Sequence, residues 1–132
     1  MIKKIDHLGI AVNDVKKAAE DFARAFGIQS GGEEEIPSQK VRVAFLQVGN
    51  VKLEFLQPLE AESTIGKFLS SRGEGFHHVA FEVDNIEGDL RQAENAGLAL
   101  LDRTPRPGAH GTKIAFIHPK SVHGVLVELV QR

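Results

Sequence analysis

The feature that most constrains the fold of this chain of 132 residues is an internal repeat. When the sequence is displaced by 71 positions, residues 5–15 align with residues 76–86, and residues 41–46 align with residues 112–117. After three extra residues in the second copy, residues 51–55 align with residues 125–129. A unit of about 55 to 60 residues that occurs twice is too small to bury a robust core alone, so the two copies are expected to fold together.

Each copy predicts the same order of elements. Apolar alternation predicts a first strand over residues 5–12, and a helical period follows, with Asp14 as N-cap and Gly27 at the end. In the second copy Asn85 caps a helix that stops at Gly97. Further strands are predicted at 41–48, 51–57, 113–118 and 125–130, and Gly49-Asn50 is typical of a tight turn. Weak extra strands are predicted at 29–36 and 99–104, although the polar, Gly-rich residues 30–35 and 105–111 are typical of loops.

The repeat also predicts the domain organisation. Residues 1–132 are expected to form a single domain, with module 1 at about 1–57, a linker at about 58–75 and module 2 at about 76–132. The linker is predicted to contain a short helix capped by Ser63. The fold class is therefore α+β, with two repeated βαβββ modules made of curved mixed sheets.

Composition excludes several classes of function. The chain has no cysteine, which removes disulfides, thiolate nucleophiles and Cys-based zinc sites. A formal net charge of -2 without a long basic block argues against binding to nucleic acid or to an anionic membrane. No stretch is apolar enough for a membrane span or a secretory signal, so a cytoplasmic protein is expected. Histidine and carboxylate groups must carry much of any chemistry.

Two histidines and two glutamates stand at equivalent positions of the repeat. His7 and His78 lie early in the first strand of each copy, and Glu54 and Glu128 lie within the last strand, among apolar residues. Alternation along a strand turns each glutamate to the face opposite its apolar neighbours. If the modules are related by a pseudo-twofold axis, the four side chains converge in a cleft between their sheets.

A divalent metal site is the chemistry that this set favours. Two carboxylates in an apolar cleft repel one another, and a divalent cation neutralises both. Imidazole and carboxylate ligands suit Co, Mn, Ni, Mg or Zn, with coordination positions left open for a substrate. The alternative is that Glu54 and Glu128 lie on a solvated sheet face and that the histidines are ordinary structural residues. A packing role, or a role in supporting the metal ligands, is expected for His77, because it points to the opposite face of the strand from His78.

Several stretches resemble a known family over essentially the whole chain. The chain has two strand-helix-strand units, each with one candidate metal ligand near either end of the unit. This arrangement resembles the vicinal oxygen chelate superfamily, which includes glyoxalases and bleomycin resistance proteins. Within it, His118-Pro119-Lys120-Ser121 followed by residues 124–129 is similar to the C-terminal signature of methylmalonyl-CoA epimerases. Residues 5–12, residues 75–84 and the loop at residues 108–111 also fit that family.

The resemblance implies both a reaction and a set of site residues. The reaction is the interconversion of (R)- and (S)-methylmalonyl-CoA, in which a proton leaves C2 and returns on the other face through a metal-stabilised enolate. The implied metal ligands are His7, Glu54, His78 and Glu128, which are the residues reached from the repeat. Glu128 is a candidate acid/base residue for one face of the substrate and Glu54 a candidate for the other, and the identity of the second base stays open. An acyl-CoA substrate and a homodimer are also implied, with Lys120, Ser121, His110 and Gly111 as substrate-binding residues.

This sequence departs from the family pattern at two places. Family members with an assigned second base carry a carboxylate on the strand that matches residues 41–45, whereas this chain has no Asp or Glu anywhere from residue 36 to residue 53. The position of Glu54 is Gln in some epimerases, whereas Glu there resembles lactoylglutathione lyases. A lyase that isomerises a hemithioacetal is therefore the second hypothesis. A metal-free protein that binds or sequesters small molecules on the same fold is the third.

Overall fold

The computed structural model describes residues 1–132 and contains eight strands and three α-helices. No helix is both long and apolar enough to cross a membrane. Short 3-10 turns cover Pro37–Gln39, Ala109–Gly111 and Pro119–Val122. In chain order the elements are β1 (Ile2–Ala11), α1 (Val15–Phe26), β2 (Ser30–Ile36), β3 (Val41–Val48), β4 (Val51–Pro58), α2 (Thr64–Arg72), β5 (Gly75–Val83), α3 (Ile86–Asn95), β6 (Arg106–Pro107), β7 (Lys113–Ile117) and β8 (Val127–Gln131).

The element order confirms the α+β fold class and the βαβββ repeat. The first copy is β1-α1-β2-β3-β4 and the second is β5-α3-β6-β7-β8, with α2 between them. The turn at Gly49 joins β3 to β4 with a positive φ of 60°, which a glycine adopts readily. The boundaries of most predicted strands agree with the structure to within two or three residues.

The helices begin at the residues that the sequence predicts. Asp14 accepts a hydrogen bond from the Lys17 backbone N–H, and Asn85 accepts one from the Gly88 backbone N–H. Ser63 caps α2 in the same way. Two glutamines add hydrogen bonds at these helix starts that the sequence pattern did not predict. Gln57, near the end of β4, accepts the Val15 N–H of α1, and Gln131, at the end of β8, accepts the Ile86 N–H of α3.

The predictions about the third element had different outcomes in the two copies. The weak strand predicted at 29–36 is confirmed as β2, so the loop predicted at residues 30–35 was wrong. Arg42 of β3 bonds to Glu33 and Glu35 across this strand pair. The strand predicted at 99–104 is reduced to one bridge, between Leu100 and Ile117, and β6 begins only at Arg106. The prolines on either side of Arg106 lack the N–H group that a longer edge strand would donate.

Residues His7–His77 form one of two compact units. Its strands are ordered β2-β3-β4-β1, with β1 parallel to β4 and the other pairs antiparallel. Helix α1 covers one face, and the core beneath it contains Val12, Val15, Ala19, Ala44, Leu46 and Phe55. The opposite face of β1 and β4 carries His7 and Glu54.

The other unit consists of Met1–Asp6 and His78–Arg132. Its strands are ordered β5-β8-β7-β6, with β5 parallel to β8, and α3 covers one face. The start of the chain is held by ion pairs, from the Met1 amino group to Asp89 at 2.6 Å and from Arg132 to Asp6 at 2.5 Å. A smaller cluster on the other face contains Ala80, Ile114, Phe116 and Val130.

Candidate active site

The first candidate pair lies on the parallel strands β1 and β4. Nδ1 of His7 is 3.2 Å from Oε2 of Glu54, and the two residues are 4% and 6% exposed. The register sets Glu54 opposite Gly9, two residues beyond His7, so both side chains project from one face of the sheet. Because Gly9 has no side chain, the neighbouring position on β1 leaves room for the carboxylate.

The second candidate pair repeats this arrangement on β5 and β8. Nε2 of His78 is 2.8 Å from Oε1 of Glu128, and both residues are buried. Glu128 lies opposite Ala80, again a small residue two positions beyond the histidine. The sequence signal for this geometry is a small residue two positions after each histidine, Gly9 in the first copy and Ala80 in the second.

Each glutamate has an aromatic neighbour on its other side. In the register, Phe45 of β3 lies opposite Glu54, and Phe116 of β7 lies opposite Glu128. The Phe116 ring meets the His78 ring edge-on, with centroids 5.5 Å apart. Glycine or alanine on one side and phenylalanine on the other make the surroundings of both carboxylates apolar, which raises the free-energy cost of an unpaired charge there.

The donor groups of the pairs fit a divalent metal ion. Each pair offers an imidazole nitrogen and a carboxylate oxygen within hydrogen-bonding distance of one another, and all four residues are buried. A cation would neutralise the charge of the buried carboxylates, and mixed nitrogen and oxygen ligands suit first-row transition metals. Each unit therefore contains a pair of side chains that could supply ligands to such an ion.

Strand β3 contributes no acid or base beside Glu54. Val43 and Phe45 lie opposite Leu56 and Glu54, so they share the face that carries the carboxylate. Both side chains are apolar and buried. In agreement with the sequence, β3 supplies no carboxylate to this face, whereas β4 supplies Glu54 and β2 supplies Glu34, which lies opposite Val43.

Comparison with known proteins gives the family. The family model of the Glyoxalase/Bleomycin resistance protein/Dioxygenase superfamily matches residues 6–116, which include His7, Glu54 and His78. The chain belongs to this superfamily.

Relatives and solved structures within the superfamily extend the comparison to nearly the full chain. The human mitochondrial methylmalonyl-CoA epimerase is 38% identical over 97% of this chain and 73% of that protein. The uncharacterized protein YqjC of Bacillus subtilis is 42% identical over 98% of this chain and 93% of its own length. A solved structure of a methylmalonyl-CoA epimerase in complex with methylmalonyl-CoA and ammonium superposes with a TM-score of 0.95, at 36% identity, over 99% of this chain and 95% of that one. The resemblance to epimerases that the sequence indicates is thereby confirmed.

The substrate-binding residues suggested by the superfamily resemblance lie at the two ends of β7. His110 and Gly111 are in the turn before the strand, and Lys120 and Ser121 are in the turn after it. Five residues of strand separate the turns by roughly 16 Å, so they do not form one cluster. His110 and Lys120 are exposed, whereas the Ser121 hydroxyl accepts a hydrogen bond from the Ala99 N–H at 2.8 Å.

The neighbouring histidines have structural contacts. The ring of His77 packs edge-on against Phe68 of α2, with centroids 4.9 Å apart, which agrees with the packing role expected for it. Nδ1 of His118 accepts the backbone N–H of Lys120 at 3.1 Å and so begins the turn after β7. His77 therefore offers a control for substitutions of His78.

Proposed function

We propose that this chain is a metal-dependent epimerase that interconverts (R)- and (S)-methylmalonyl-CoA. The observation that carries the proposal is the pair of buried His–Glu contacts at equivalent positions of the repeat, His7 with Glu54 and His78 with Glu128. The similarity to proteins named methylmalonyl-CoA epimerase supports the choice of substrate. Residues 1–132 would act as one domain, in a cytoplasmic homodimer.

The four residues His7, Glu54, His78 and Glu128 would hold the divalent ion, for which Co, Mn, Ni, Mg and Zn are the candidates. When bound, the cation would supply positive charge that stabilises the negative charge developing on the substrate as the C2 proton leaves. The apolar neighbours Phe45 and Phe116 strengthen such electrostatic stabilisation, because they keep water from the charged groups.

Epimerisation requires one group to remove the C2 proton and another to return it on the opposite face. We assign these roles to Glu128 and Glu54. The apolar surface of β3 supports the assignment of Glu54, because Val43 and Phe45 cannot exchange a proton. His110, Gly111, Lys120 and Ser121 are proposed to contact the CoA portion, which is long enough to pass both ends of β7.

The direct test is to incubate the protein with methylmalonyl-CoA in deuterated water and to follow the C2 proton by NMR. We expect exchange and interconversion of the epimers after addition of Co²⁺ or Mn²⁺, and neither after chelation. Absence of metal-dependent exchange would reject the epimerase. A chain that retains no divalent ion after dialysis with Co²⁺ or Mn²⁺ would favour a metal-free binding protein instead.

The acid/base assignment predicts a specific phenotype for Glu54→Gln. The amide keeps an oxygen that can bind metal but does not accept the proton, so interconversion should fall by about 10²- to 10⁴-fold. Exchange of the C2 proton of one epimer should persist, because Glu128 still serves that face.

The matched variant Glu128→Gln should show the converse, with exchange retained for the other epimer. Metal content, measured by mass spectrometry, separates loss of a base from loss of a ligand. Interconversion at the wild-type rate by metal-loaded Glu54→Gln would remove Glu54 from the proton-transfer step.

A further inference from the structure

Arg106 lies on the same face of its sheet as the second His–Glu pair. In the register, Arg106 of β6 is opposite Ile114 of β7, and Phe116, two residues along β7, is opposite Glu128 of β8. Directly opposed residues and residues two apart share a sheet face. Arg106 therefore projects from the face that carries Glu128, at the edge of the sheet.

The guanidinium of Arg106 lies over the ring that meets His78. Its central carbon is 5.5 Å from the centroid of Phe116, and the centroids of Phe116 and His78 are 5.5 Å apart. At this distance the cation and the ring attract one another. One aromatic ring thus separates a cationic group from the proposed metal-binding pair.

The donors of Arg106 are incompletely used within the protein. Nε lies 3.3 Å from Oδ1 of Asp102 but is buried without a hydrogen-bond partner. Asp102 is itself held in place, because its other oxygen accepts the Phe116 backbone N–H at 2.9 Å. The side chain of Arg106 is 39% exposed, so part of it is open to solvent or to a ligand. The Asp102 carboxylate lies beside the buried Nε, and the exposed part of the side chain can meet an anion.

We propose that Arg106 binds the free carboxylate of the acyl group and so selects malonyl-type thioesters over simple acyl thioesters. The inference rests on the proposed function. A planar guanidinium matches a carboxylate through paired hydrogen bonds. A phosphate of CoA offers similar chemistry, but the long pantetheine chain separates the phosphates from the reacting carbon. The position of Arg106 beside the His78–Glu128 pair therefore favours the carboxylate.

The experiment compares the affinity of Mn²⁺-loaded protein for malonyl-CoA and for acetyl-CoA, which differ by the carboxylate alone. Arg106→Gln should weaken malonyl-CoA binding by about 10- to 100-fold, as expected for lost hydrogen bonds to a charged group. Acetyl-CoA binding should change less than about twofold, which also shows that the variant is folded. Arg106→Lys retains the charge without the paired donors, so it should give a smaller loss of malonyl-CoA affinity.

Arg103→Gln is the matched control, because Arg103 lies three residues away, is 83% exposed and pairs with Glu94. Its affinities for both thioesters should equal those of the wild type. An equal loss for both thioesters in Arg106→Gln would assign Arg106 to the CoA portion and overturn the proposal, as would no loss for either. The proposed function can fail separately. If the wild type prefers malonyl-CoA and Arg106→Gln loses that preference, but the wild type exchanges no C2 proton, only the epimerase activity is rejected.

Discussion

The two copies of the repeat have the same buried pair and different edges. Each copy sets its glutamate opposite a small residue of the first strand and beside a phenylalanine of the strand before. The edge strand, in contrast, spans the seven residues of β2 in the first copy and the two residues of β6 in the second. The comparison shows that the strands common to both copies determine where the His–Glu pairs lie. The edge strands differ, and the short β6 carries Arg106 on the sheet face of Glu128, where we propose that the substrate binds.

The pairs also differ in the nitrogen that faces the carboxylate. His7 presents Nδ1 to Glu54 at 3.2 Å, whereas His78 presents Nε2 to Glu128 at 2.8 Å. The backbone repeat therefore does not impose one imidazole orientation. A substitution at each histidine tests whether the pairs are nonetheless equivalent in metal binding.

The largest effects are expected for His7→Ala and His78→Ala. Each should lower the bound metal to less than one tenth of the wild-type content and reduce kcat/KM by at least about 100-fold, because a lost ligand costs more than a lost residue that supports a ligand. Metal content is measured by mass spectrometry and turnover by NMR.

His77→Ala is the control, since this neighbouring ring packs on Phe68. It should retain metal and turn over within a few-fold of the wild type. If His7→Ala binds metal normally and His78→Ala does not, or the reverse, the two pairs have different roles. The proposed symmetric ligand set would then be wrong.

Intermediate effects are expected from the cores beneath the two helices. Val15 and Ile86 are the first residues of α1 and α3 and are almost fully buried. Ile86→Ala should lower the free energy of unfolding by about 2–5 kcal/mol, and Val15→Ala by less, because fewer carbon atoms are removed.

Urea denaturation of the metal-free protein measures both changes in the free energy of unfolding. In a separate measurement, the folded variants should bind as much metal as the wild type. A larger loss for Val15→Ala than for Ile86→Ala would indicate that the first core collapses less completely around a cavity than the second.

The smallest effects are expected at the helix caps. Asp14→Ala and Asn85→Ala each remove one side-chain oxygen that accepts a backbone N–H. The nitrogen–oxygen distance is 3.1 Å in both helices. Each should cost about 1 kcal/mol in the free energy of unfolding, measured by urea denaturation. The exposed Asn13, one residue before the first cap, provides Asn13→Ala as a control with little expected change. Costs that differ strongly between Asp14→Ala and Asn85→Ala would show that the helices do not start equivalently.

Much of the fold could be predicted because its signals are local. The caps Asp14, Ser63 and Asn85 and the turn at Gly49 all lie where the sequence predicts them, since capping and tight turns depend on a few neighbouring residues. Alternation identified β1, β3 and β4 for the same reason. The repeat added long-range information, because equivalent positions pointed to His7, His78, Glu54 and Glu128 together.

The edge strands were predicted less well. A strand at 29–36 was predicted beside a loop at 30–35, because the polar residues of β2 are typical of a loop, and they form a strand because β3 offers hydrogen bonds and the Arg42 side chain across the pair. Likewise, the role proposed for Arg106 depends on its register with Ile114 and on the contacts of Phe116. Strand pairing is decided by partners that are distant in sequence.

The amino-acid sequence by itself therefore determined the α+β repeat, the helix starts and the residue types that could bind a metal, because local propensity and the offset between the copies carry that information. Only the tertiary structure decided that Gly9 and Ala80 lie opposite the two glutamates and that each carboxylate meets its own histidine. Such contacts follow from the register between strands, which is determined when the whole sheet is paired and packed.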